Sequence, residues 1–166
     1  MIKKLIFLVV AVSVLRLTGL LPFASSDVAE LVPVQALVVS KDGSDFILDG
    51  GLCRGYGTDW NSALQDLKDG AEGHVFLGTA DHVILCGAAV SVLTQVIENQ
   101  LLRPAASICY CPDGGLQADE AARFLEAHDP GVTLQQVRAL RLREAVVTLP
   151  VLEQTEGGLR LRAQDR

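Results

Sequence analysis

The chain has 166 residues, room for one domain of ordinary size and a short additional segment. A formal net charge of −6 excludes a basic nucleic-acid module, which needs a positive face against phosphate. A hydrophobic content of 49% supplies one core and excludes a disordered chain.

The N-terminus reads "MIKKLIFLVVAVSVLRLTGLLPFASS", with Lys3 and Lys4 ahead of an apolar run from Leu5 to Leu15 and Arg16 interrupting before "LTGLLPFA". A positive start followed by an apolar stretch is the layout of an export signal whose charged end stays cytoplasmic. Leu5 to Ala24 is also long enough to cross a bilayer if Arg16 snorkels. Pro22 stands where a small residue would favour cleavage before Ser25. Residues 1–26 therefore form either a signal peptide or an uncleaved signal anchor. Residues 27–166 are the folded domain, expected at the extracytoplasmic face of a membrane.

"ELVPVQALVVS" is a β-type run in which Pro33 marks an edge or a strand start. "KDGSD" reads as the turn of a hairpin to "FILDGGL", and "CRGYG" as a glycine-broken loop. In "TDWNSALQDLKDGAEG", Thr58 or Asp59 caps a helix with Trp60, Ala63, Leu64, Leu67 and Ala71 at three- and four-residue spacing, closed by Gly70 and Gly73. Trp60, the only tryptophan, reads as a core anchor. "HVFLGTADHVILC" predicts a buried strand approached through a glycine bend. "AAVSVLTQVIENQLLR" predicts the best helix, with Val90, Leu93, Val96, Ile97 and Leu101 on one side and Pro104 as its stop. "AASICYC" is a strand, "PDGGLQ" a turn and "ADEAARFLEAH" a short helix. Thr133 and Gln136 form a capping box for "TLQQVRALRLR". "AVVTLPVLE" and "LRLRA" make a closing hairpin around "QTEGG", with Leu159, Leu161 and Ala163 on one face and Arg160 and Arg162 on the other. The sum is an α/β (α+β) single domain, a mixed β-sheet flanked by three to four helices.

The chemistry-bearing residues do not assemble into a catalytic signature. His74, His82 and His128 fall on strand edges and a helix terminus, and no P-loop, GxSxG elbow or HExxH occurs. Asp81 and His82 are strand neighbours that point to opposite faces, so they do not act as one oriented base; Asp81 reads as a turn or cap group. The acidic residues at 113, 119, 120, 126 and 129 read as a solvated face. The four cysteines, Cys53, Cys86, Cys109 and Cys111, form no CxxC pair. Cys109 and Cys111 share a strand face, too poorly placed to bridge each other. Buried free thiols are the ordinary reading for them; a zinc site with His82 is the metal-binding alternative. No catalytic, cofactor-binding or metal-binding residue is assigned, and the chain is expected not to be an enzyme.

The order of these segments resembles the N-terminal domain of the Ger(x)C family, the C subunits of spore germinant receptors. "DVAELVPVQALVVSKDG" is similar to that family's first strand after its anchor, and "WNSALQDLK" to its first helix. "VFLGTADHVILCG" is similar to its F-hydrophobic-G-H strand, and "VIENQLLRPAASICYC" to a helix ending in Leu-Arg before a strand. "DEAARFLEA" and "VVTLPVLEQTEGGLRLRA" follow in the family's order. The patterns are diffuse and apolar, and their order over residues 27–163 carries the resemblance. Two departures stand out. "LTGL" ends in Leu20 where the family's lipobox has the acylated cysteine, so the tether here is the apolar segment itself. The family also ordinarily continues through two further domains. The resemblance implies a non-enzymatic accessory subunit without cofactor at the spore inner membrane. It would act in nutrient-triggered germination, after sporulation, through integral-membrane germinant-receptor-type subunits. A scaffold or binding protein of another extracytoplasmic complex is the alternative. Within the domain, the segment "GGLCRGYGTDW" (50–60), with its glycines and an exposed aromatic, is a candidate partner surface.

Overall fold

A computed structural model describes residues 30–162, so the apolar N-terminal segment and Ala163 lie outside the described residues. Among the described residues, nine strands form two sheets. β1 (Leu31–Pro33) pairs in parallel with β5 (His74–Phe76), aligning Pro33 with Phe76. The seven-stranded sheet runs β4-β3-β2-β6-β7-β8-β9, with β2 (Ala36–Asp42), β3 (Asp45–Asp49), β4 (Arg54–Gly57), β6 (His82–Cys86), β7 (Ser107–Cys111), β8 (Val151–Thr155) and β9 (Gly158–Arg162). The inner strands β2, β6, β7 and β8 are parallel, and antiparallel hairpins close both sides. β6 is the middle strand, so the "HVIL" run is apolar because both of its faces are covered.

Among the described residues, four helices cover the sheet: α1 (Trp60–Asp69), α2 (Leu93–Glu98), α3 (Ala118–Ala127) and α4 (Leu134–Leu142). On one face, Trp60, Leu64 and Leu67 of α1, Val96 and Ile97 of α2 and Leu134 and Val137 of α4 pack against Leu37, Val39, Val83, Leu85 and Ile108. On the other face α3 alone, through Ala118, Ala121, Ala122 and Leu125, covers Ala36, Val38, Ile84, Cys86, Cys109 and Cys111. The expected class, a mixed α/β sheet with three to four helices, is the observed one, and Trp60 is 3% exposed at the centre of the larger core.

Three local expectations are corrected. "CRGYG" is strand β4, not a loop. Its glycines are there for close packing: a Cβ at Gly55 would overlap Ala63 O and Leu67 N, and one at Gly57 would overlap Ala63 N, so α1 rests directly on bare strand. "HVFLGTADHVILC" is two strands of different sheets, separated by a 3₁₀ turn at Leu77–Thr79. Thr79 Oγ1 holds that turn to the chain's entry, accepting from Val34 N at 3.0 Å. The long helix is also shortened. A 3₁₀ segment, Gly87–Val92, precedes α2, which ends at Glu98. Three residues per turn shift the phase of the apolar stripe, and Leu101 follows in a turn where Asn99 Oδ1 accepts its amide at 2.8 Å. Val90 and Leu101 are thus 44% and 49% exposed, while Val96 and Ile97 remain buried.

Candidate functional site

The segment 50–60 closes the β3–β4 hairpin and enters α1. Its buried anchor is Asp49, whose carboxylate accepts from Gly51 N at 2.9 Å and from Arg54 Nη2 at 3.0 Å, and approaches Ala118 N at the start of α3 at 3.5 Å. Arg54 Nη2 also donates to Gln117 Oε1 at 2.6 Å, so one guanidinium ties the hairpin to the turn before α3. Asp49 is 6% exposed, and its acceptor sites are matched to donors from three segments. At the far end Asp59 caps α1, accepting from Asn61 N and Ser62 N at 2.8 and 3.0 Å, which holds its carboxyl below the usual range.

Around this framework lie Leu52, 77% exposed, and Tyr56, 54% exposed. A groove of about 350 Å³ opens where α3 leaves the sheet uncovered, lined by Val38, Ser40, Ile47, Asp49, Arg54 and Gln117. The exposed aromatic expected in this segment is Tyr56; Trp60 points into the core. The backbone edge of β4 is shielded by α1, whose Asp66 Oδ2 accepts the Tyr56 amide at 2.8 Å. Contact here would therefore be made by side chains rather than by an added strand.

His82 and Asp81 sit at the opposite, amino edge of the parallel strands. His82 Nδ1 and Ser107 Oγ are 2.7 Å apart, while Asp81 pairs with Arg103. Asp81 precedes β6 and is not part of it, so the expected opposite-face placement is corrected: the two neighbours line one shallow groove of about 330 Å³, though they take different partners. Burial lowers the His82 imidazole below its usual value, and the carboxylates of Asp81 and Asp129 oppose that shift. A serine beside an imidazole is half of a nucleophile–base pair. Among the described residues, however, no hydrogen bond to His82 Nε2 completes a third member, and the Ser107 amide is already given to Asp81 O. His128 lies elsewhere, stacked on Phe124 at 4.2 Å, and His74 is exposed on β5.

The thiols gather at the carboxyl edge. Cys86 and Cys111 end β6 and β7 and are register partners; Cys109 lies two residues back on the same face. Cys111 sulfur takes hydrogen bonds from Cys86 and from the Asp113 amide, which lowers its thiol, while the same contact and burial raise Cys86. Burial pushes Cys109 up to about 12. Cys53 belongs to the other core and is also raised by burial. His82 stands about 13 Å from Cys86 by strand rise, at the other end of β6, so the imidazole and the thiols do not share a site. Among the described residues no group of three or more His, Cys, Asp or Glu is arranged to hold a metal ion, and no helix is long and apolar enough to cross a membrane. Two features were invisible in the sequence. Asp49 gave no signal beyond an acidic residue ending an apolar strand, and the Cys86–Cys111 pairing depends on strand register. No family model, curated protein or solved structure matches the chain.

Proposed function

We propose that this chain is a membrane-tethered, non-catalytic interaction domain of the germinant-receptor C-subunit type, acting in nutrient-triggered spore germination. The observation that carries the reading is an order. Each sequence segment that resembles the Ger(x)C pattern coincides with successive elements of the fold, across its two sheets: β1–β2, α1, β5–β6, α2–β7, α3 and β8–β9. The entry of the chain adds support. Residues 25–29 span at most about 20 Å, so an apolar segment held in a bilayer keeps β1 close to its surface. The half-exposed Phe76 and Leu101 line a groove of about 390 Å³ beside β5, the partner of β1. Leu52 and Tyr56 are then the side chains offered to an integral-membrane subunit.

The test is fractionation and co-purification from sporulating cells of the source organism, followed by germination assays on spores lacking the chain. The expected result is a membrane-bound protein recovered with germinant-receptor-like subunits, with slowed response to nutrients when it is absent. Tyr56→Ser should leave stability within about 0.5 kcal/mol of the parent, as for an exposed site, and weaken recovery of the partner. A soluble cytoplasmic protein would refute the tether. A stable partner set without receptor-like subunits would instead favour a scaffold of another complex.

A further inference from the structure

Cys86 and Cys111 are the last residues of adjacent parallel strands and stand directly opposite each other in the ladder. Their side chains share the α3 face, and both are free thiols. Neighbouring strands run about 4.8 Å apart, within the Cα separations that disulfides span. Successive connections also part here. The α2 connection leaves β6 on one sheet face and α3 follows β7 on the other, so the two strand ends run into diverging connections.

We propose that Cys86 and Cys111 are a redox-active pair that closes into an intrachain disulfide by exchange with an external disulfide. Cys111 thiolate attacks one sulfur of the oxidant, forming a mixed disulfide and releasing the first thiol. Cys86 then attacks the Cys111 sulfur and expels the second. The two cysteines are oxidised, the external disulfide is reduced to two thiols, and the two cysteine protons end on those thiols.

The geometry sets this order. Cys111 directly borders the exposed turn at 112–115, which brings its sulfur nearest to solvent when the strand end opens. Cys109 aligns with Ile84 and is fully buried, and Cys53 lies in the opposite core, so neither meets a second thiol across the ladder. In-register parallel partners hold their Cβ atoms slightly farther apart than a relaxed disulfide does, so the closed bond is strained and readily reduced. The adjustment falls on Gly87, at φ +51°, and on the turn after Cys111, both outside the ladder. Both sulfurs are shielded from solvent, so closure waits on local opening of the strand ends and is slow.

The test uses the full chain, purified reduced in detergent and equilibrated across a series of oxidised and reduced glutathione. Samples are acid-quenched, alkylated in denaturant, cleaved after Tyr110 to part Cys109 from Cys111, and mapped by mass. The expected product is lighter by two hydrogens, carries a Cys86–Cys111 cross-link, leaves Cys53 and Cys109 alkylated, and reverts with dithiothreitol. Cys109→Ser should form the bridge as the parent does; Cys86→Ser and Cys111→Ser should not, and Cys86→Ala and Cys111→Ala should likewise show none. A bridge through Cys53 or Cys109, a glutathione adduct that never resolves, or four unreacted thiols across the series would overturn the proposal. Because the readout comes from purified chain, it stands or falls separately from the fractionation experiment.

Discussion

Gly55 and Gly57 determine how closely α1 can lie on β4. A Cβ at Gly55 would overlap two backbone atoms of α1 and lie 2.6 Å from Leu67 Cα, and backbone cannot rotate away as a side chain can. Gly55→Ala is therefore expected to cost about 3 kcal/mol, the overpacking range. Gly114 has nothing within 4 Å of its Cβ position, and Gly114→Ala should change stability by about 0.5 kcal/mol or less. Urea denaturation of the two variants checks the contrast; equal stabilities would show that α1 yields freely. The same residues mark what was legible. "RGYG" reads as loop because glycine ordinarily breaks strands, and only the position of α1 turns the missing side chains into a packing surface. Asp59 and Trp60 were legible, because a cap and an apolar spacing are local properties.

At the scale of elements, the β2–β3 and β8–β9 hairpins and the capped helices are legible with their correct types, whereas the β3–β4 hairpin and the interrupted helix are not. β2–β3 and β8–β9 follow from turn residues between apolar runs, and the half-buried Leu159 and Leu161 alternate with exposed Arg160 and Arg162 as expected. α4 begins at the Thr133–Gln136 box, with Gln136 Oε1 accepting Thr133 N at 2.9 Å and Thr133 Oγ1 accepting Gln136 N at 3.3 Å. Its next free amides, Leu134 N and Gln135 N, donate to Ala106 O and Pro104 O, so tertiary contacts finish what the cap starts. Thr133→Ala should cost about 1 kcal/mol and expose the Gln136 amide to hydrogen exchange, with Thr133→Ser restoring both. An unchanged protection factor at Gln136 would mean that the loop carbonyls alone secure this end. α2 shows the limit of pattern reading. Arg138 of α4 donates to Ile97 O and Asn99 O, so a side chain 39 residues away from Asn99 closes the helix where a continuous apolar period suggested about one and a half more turns.

For the whole molecule, the central strands β2, β6 and β7 belong to both cores, since alternate residues enter opposite faces. The two faces should therefore unfold together. Ile84→Ala removes side-chain bulk from the α3 face and should cost about 3 kcal/mol. Trp60 lies in the other core and is the chain's single tryptophan. Its fluorescence transition should shift to the same denaturant midpoint as the far-ultraviolet circular dichroism, as a two-state domain requires. A Trp60 midpoint that stays in place while the dichroism moves would show two separately stable layers.

The sequence by itself determined the class of the domain, most of its elements and most of the residues that enter the core, because apolar period, turn chemistry and caps act over a few neighbouring residues. Its charged and apolar first residues are also the basis of the proposed tether. Only the tertiary structure decided which strands are neighbours, where the long helix stops, why a strand needs two glycines, and which thiols meet. Those outcomes depend on register and on contacts between segments distant in the chain. The Asp49–Arg54–Gln117 node and the Cys86–Cys111 pair exist because β3, β6, β7 and α3 converge, a condition that no window of adjacent residues records.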